Sequence, residues 1–132
     1  MILNYIPKQD LRQHWDFVKH GLEIVRSKGH PRWIVEDVYC DCYENRSMLF
    51  IAIHNKQPYG FVVLQPIGQT MHVWAAWSTI NDEVLFQQAW QEIQQIAKQG
   101  GKTEVTFTSG RRGWERKVKQ MNFKPTTWTF TL

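Results

Sequence analysis

The stretch MLFIAIHNKQPYGFVVLQPIGQTMHVWAAW, residues 48–77, decides the fold. Met48 to Ile53 and Tyr59 to Leu64 are continuous apolar runs of strand length, and Asn55, Lys56, Gln57 and Pro58 between them read as the turn of a hairpin. Pro66 and Gly68 break the chain before a third apolar run, Met71 to Trp77. Strands that are apolar at consecutive rather than alternate positions are expected to be covered on both faces. The flanking sequence should therefore supply helices to either side of a sheet.

It does. Ile2 to Ile6, ended by Pro7, reads as a first strand. Leu11, Trp15, Val18, Leu22 and Val25 recur at spacings of 4, 3, 4 and 3, the stripe of an amphipathic helix closed by Gly29. Pro31 suits the first turn of a second helix, in which Ile34, Val38 and Cys42 stack one turn apart, ending near Asn45. Downstream of the three strands, Asn81 or Asp82 can cap a helix striped by Leu85, Ala89, Ile93 and Ala97, with Gly100-Gly101 as its stop. Val105 and Phe107 then alternate with Glu104, Thr106 and Thr108 as a strand. Ser109-Gly110 leads into a short helix with Trp114, Val118 and Met121 on its apolar face. Trp128, Phe130 and Leu132 alternate with threonines in a last strand. The order is β-α-α-β-β-β-α-β-α-β, a single α/β (α+β) domain over residues 1–132 with a mixed central sheet and helices on both faces.

Composition narrows the function classes. With 132 residues, 42% hydrophobic and 21% charged, the chain is expected to bury one ordinary core and to be soluble and intracellular. It has no apolar run of the ~20 residues a membrane span requires and no secretion signal at its start. Cys40 and Cys42 stand too close for an easy bridge and read as reduced thiols on a helix; with His30 or His54 they match no zinc spacing, so no metal is expected. No G-x-S-x-G elbow supports a serine nucleophile.

The net charge of +4 beside seven tryptophans is a footprint of nucleic-acid binding, but it is unevenly spread. Residues 98–124 hold eight Lys or Arg against two acids, net +6, and the remainder is net −2. Arg111, Arg112, Arg116 and Lys119 would lie on the loop and outer face of the fourth helix, offering guanidinium forks and free backbone N–H groups to a phosphate of DNA, a coenzyme or an acidic partner. Trp15, Trp90, Trp114 and Trp128 fall on apolar stripes and belong in the core. Trp74 and Trp77, three apart on a strand, should face opposite sides, one of them exposed where it could anchor a ligand or subunit.

The element order at this length resembles the GNAT acetyltransferase fold. The segment from Ser109 through Arg111, Arg112, Gly113, Trp114, Glu115 and Arg116, followed by Met121-Asn122-Phe123, is similar to the closing segment of GNAT-like proteins of tailed bacteriophages, some of them internal virion proteins. Asn122-Phe123 takes the place of the family's Gly-Phe pair, Asn being a residue that tolerates the left-handed conformation. The resemblance implies a coenzyme site at Val73, Trp74, Ala75, Ser78, Thr79 and Asn81. Backbone of residues 73–77 would hold a pantetheine arm, and the loop before the third helix would cradle a diphosphate.

The loop runs Trp77-Ser78-Thr79-Ile80-Asn81-Asp82-Glu83, with none of the family's glycines and two acids where the diphosphate would sit. The family's acidic tyrosine position falls at Val118. His72 and Glu104, near where the family's strands splay, are the candidate bases. The expectation is therefore a phage-encoded GNAT-like protein with a degenerate site and no cofactor. It would act as a non-catalytic virion-associated or morphogenesis component contacting other virion proteins or DNA, in the host cytoplasm or the virion. The alternative is an acetyl-CoA-dependent N-acetyltransferase with a divergent loop.

Overall fold

A computed structural model describes residues 1–108, 117, 119–124, 130 and 131. Strand β1 (Leu3–Ile6) and a 3-10 turn (Lys8–Asp10) lead into α1 (Leu11–Gly29) and α2 (Val35–Tyr43). Strands β2 (Met48–His54), β3 (Gln57–Ile67) and β4 (Thr70–Ser78) follow, then α3 (Glu83–Gln99) and β5 (Glu104–Phe107). The sheet order is β1-β2-β3-β4-β5; neighbours are antiparallel except β4 and β5, which run parallel with α3 as their crossover. Among the described residues no helix is long and apolar enough to cross a membrane.

Local signals hold with four shifts. The left-handed residue ending α1 is His30 (φ 47°), one place after Gly29, and its N–H bonds the Arg26 carbonyl. Pro31 lies outside any helix: α2 starts at Val35, where the Asp37 carboxylate accepts the Ile34 N–H at 2.9 Å and fixes the first turn. The first hairpin turn is only Asn55-Lys56, both left-handed (φ 52° and 63°), with Gln57 and Pro58 already in β3. Pro66 does not break the chain but lies within β3. Both prolines stand where β3 has one neighbour, because β4 pairing begins at Gly60 and β2 pairing ends at Leu64, so neither missing N–H interrupts a two-sided ladder. The break is the turn through Gly68, at φ 55°.

Helices cover both faces, as the unbroken apolar runs require. Leu11, Val18 and Leu22 of α1 and Val35, Val38 and Cys42 of α2 pack on Leu49, Ile51, Phe61, Val63 and Ala75. Leu85 and Ala97 of α3 pack on the opposite face against Ile2, Leu3, Phe50, Val62, Leu64 and Met71. Asp82 caps α3, accepting from Val84 and Leu85 N–H, and Gly101 (φ 73°) follows its end.

Two contacts tie the layers together. A Cβ on Gly21 would come within 2.4 Å of Phe61 and 2.5 Å of Trp77, so only glycine lets α1 rest on those rings. Glu92, 5% exposed, accepts the backbone N–H of Ile2 (3.0 Å) and Leu3 (2.9 Å) and clamps β1 to α3. The fourth helix and last strand expected from the sequence lie mostly outside the described residues. Residues 117, 119 and 120 are helical, and Asn122 is left-handed at φ 64°, as expected of a glycine substitute.

Gly21→Ala is expected to destabilise the fold by about 1–3 kcal/mol despite alanine's better helix propensity, because the added methyl has no room. Glu92→Ala strands two buried N–H donors at about 1–3 kcal/mol each and should cost at least about 2 kcal/mol. Urea denaturation of both variants measures the two losses.

Candidate functional site

The parallel ladder between β4 and β5 has four rungs, Thr70–Glu104, Met71–Val105, His72–Thr106 and Val73–Phe107. Just beyond it β4 carries an extra residue: Val63 pairs with Ala75 and Leu64 with Val73, leaving Trp74 as a bulge. The bulge reverses side-chain alternation, so Trp74 and Trp77 do not face opposite sides as a regular strand would have them. Both are half-buried on the α1/α2 face, Trp74 edge-on to Trp33 at 6.0 Å and Trp77 among Phe17, His20 and Phe61. Trp15 packs edge-on against Tyr39, and Trp90 meets Phe123, which also meets Phe107. Trp114 and Trp128 lie outside the described residues.

The two candidate bases stand on neighbouring strands, two rungs apart, and have different partners. His72 is half-buried on the α1/α2 face with Nδ1 2.9 Å from Thr106 Oγ1, and burial pushes its pKa below the usual imidazole value. Glu104 is exposed at the first rung, where its carboxylate accepts the Thr70 hydroxyl at 2.6 Å. Gln65 pairs with His72 from β3 and donates to Asp41 on α2 at 3.1 Å. Burial opposes ionisation of Asp41, yet hydrogen bonds from Ser47, Gln65 and Arg46, with the Arg46 charge, hold its carboxyl below the usual range. Gln65, Thr106, Asp41 and Trp33 went unread in the sequence. Gln65 at the end of an apolar run was the one signal, whereas Thr106 sits on what reads as the solvent side of an alternating strand.

The loop after β4 is closed on itself. Thr79 N–H and hydroxyl both donate to the Tyr59 carbonyl (2.7 and 3.1 Å), and Ile80 N–H donates to Ser78 Oγ, whose hydroxyl donates back to the Ile80 carbonyl. At the start of α3, Asp82 Oδ1 accepts Val84 N–H at 2.9 Å and Leu85 N–H at 3.1 Å, and the Asp82 carbonyl accepts Phe86 N–H. Glu83 adds a second negative charge, its carboxyl kept low by the Gln87 amide and by Lys117, 3.6 Å away. Lys117 Nζ also sits 3.6 Å over the Phe86 ring.

Of the positions the resemblance assigns to a coenzyme, Val73 faces the α3 side, Trp74 and Ala75 the α1/α2 side, and Ser78, Thr79 and Asn81 are exposed. The five N–H groups of Thr79, Ile80, Val84, Leu85 and Phe86 are spent on the chain itself. A diphosphate at the start of α3 would have to displace the Asp82 carboxylate from Val84 and Leu85 N–H.

Arg111, Arg112 and Arg116 lie outside the described residues, and Lys119 is exposed on the helical turn. Cys40 and Cys42 are free thiols, Cys42 buried with its pKa pushed up to about 12 by burial and by Asp41. Among the described residues no three His, Cys, Asp or Glu side chains could hold a metal ion.

No family model and no curated protein matches the sequence. Solved structures do match. An aminoglycoside N-acetyltransferase in complex with CoA is 15% identical, with a TM-score of 0.68 over 98% of this chain and 91% of that one. A ribosomal-protein-alanine N-acetyltransferase from Brucella melitensis is 10% identical, with a TM-score of 0.68 over 98% and 95%. An N-acetyltransferase from Thermoplasma acidophilum in complex with coenzyme A is 13% identical, with a TM-score of 0.61 over 91% and 89%. The chain has the fold of the GNAT acetyltransferases.

The buried imidazole carries a signed pH dependence. Its folded pKa lies below the ordinary 6.5, so on acidification the unfolded chain takes the proton first. His72 therefore costs stability as pH falls through about 6.5 and below. Between about pH 8 and pH 5 the native protein should lose more unfolding free energy than His72→Gln, as measured by urea denaturation at each pH.

Proposed function

We propose that this chain is a non-catalytic protein on the GNAT scaffold, a virion-associated or morphogenesis component of a tailed bacteriophage that works through contacts with other virion proteins or DNA. The observation that carries the non-catalytic reading is the Asp82 carboxylate seated on the first N–H groups of α3, in the place a coenzyme diphosphate would take. A diphosphate there would have to displace Asp82 and then sit beside two carboxylates, at a cost of about 1–4 kcal/mol per close charge pair. The phage reading is supported by the closing segment from Ser109 to Phe123.

One observation favours a second reading, an acetyl-CoA-dependent N-acetyltransferase with a divergent loop. His72, its pKa lowered by burial, stands one rung before the end of the β4–β5 ladder, and similar folds include CoA complexes.

Calorimetric titration with acetyl-CoA separates the two. The first reading expects no binding in the micromolar range. Micromolar binding that substitutions in residues 78–81 abolish, with thiol release in the presence of amines that His72→Gln removes, would establish the second. Mass spectrometry of purified particles checks the virion assignment directly.

A further inference from the structure

Three neighbouring strands place a polar side chain at one level of the α1/α2 face. Gln65 on β3 pairs with His72 on β4, and His72 with Thr106 on β5. The next level along, Val63 with Ala75 and the bulged Trp74, is apolar. A neutral hydrogen-bonded pair adds little net stability over an apolar pair of the same shape, so packing gives no reason for an imidazole and a hydroxyl here. The ring is nonetheless flanked on both sides: Thr106 Oγ1 lies 2.9 Å from Nδ1, and Gln65 is itself held by Asp41, which Ser47 and Arg46 fix. Glu104, the one carboxylate of β5, accepts the Thr70 hydroxyl. His72 makes no other side-chain hydrogen bond among the described residues.

We propose that Thr106 is a positioning residue for His72: Nδ1–H donates to Thr106 Oγ1, leaving the Nε2 lone pair as the proton acceptor. The two ring nitrogens of a histidine are distinct, and the bond one of them makes decides which carries the proton. The assignment goes beyond the fold, and its catalytic meaning rests on the acyltransfer reading. Gln65, the register partner of His72 on β3, spends its amide on Asp41.

The test uses the full-length, 15N-labelled protein and long-range ring spectra at about pH 8, where imidazole is neutral. The wild type should show a protonated Nδ1 and an unprotonated Nε2. Thr106→Val should lose that pattern and shift the His72 titration midpoint, whereas Thr106→Ser, which keeps the hydroxyl, should restore both. A wild type protonated at Nε2, or a Thr106→Val variant with the wild-type ring pattern, overturns the proposal; amide spectra of Thr106→Ser guard against a folding artefact. The two failures are separable. Absent thiol release with every amine tried removes the acyltransfer reading and leaves the tautomer assignment supported, and turnover from an Nε2-protonated ring removes the assignment alone.

Discussion

One extra residue in β4 sets the arrangement of everything around it. Before Trp74, Met71 and Val73 face α3 and His72 faces α1; after it, Ala75 and Trp77 face α1. Without the bulge the alternation would run on, and Trp77 would point toward α3. The slot that Gly21 opens would then receive Phe61 but lose Trp77. A bulge costs local pairing but re-aims side chains, which is its common use beside functional sites. Here it brings Trp77 onto the face that His72 and Trp74 already share, just beyond the place where the pairing of β4 with β5 ends.

The layers were legible because burial on both faces leaves a direct trace. Apolar runs at residues 48–53, 59–64 and 71–77, the last interrupted by His72, demand helices above and below, and the 3.6-residue stripes of α1 and α3 supply them. Punctuation was less legible. Proline was read as a break at Pro66, yet proline is excluded from a strand only where its N–H is owed to a neighbour, and at Pro66 the β2 side of the strand is unpaired. Knowing that requires the register, which depends on the bulges, and a bulge at Trp74 has no marker in a run of Val73, Trp74 and Ala75.

The candidate site was half readable for a related reason. Absence is visible in a sequence: a loop without glycine and with two acids announces itself, and the self-capped start of α3 is its structural form. Presence is harder to see. Gln65, His72 and Thr106 are 7 and 34 residues apart, and only pairing across three strands makes them one row. Thr106 lies in a segment whose alternation suggests a solvated face, but its hydroxyl meets the His72 ring. Glu92 escaped for the opposite reason: on a helix rich in glutamine it looks like one more polar surface residue, although it is buried on two backbone donors.

The two ends of the site obey different economies. Capping the start of a helix is worth about 1 kcal/mol wherever a helix begins, so Asp82 is explained by the stability of α3 alone and needs no ligand history. The polar row has no such explanation. Its hydrogen bonds roughly offset the cost of removing imidazole, amide and hydroxyl from water, and valine or leucine at those positions would pack the layer at least as well. A fold selected only for stability would keep the first and discard the second. The chain keeps both, and the polar row joins three strands at the β4–β5 end of the scaffold, where the imidazole is held.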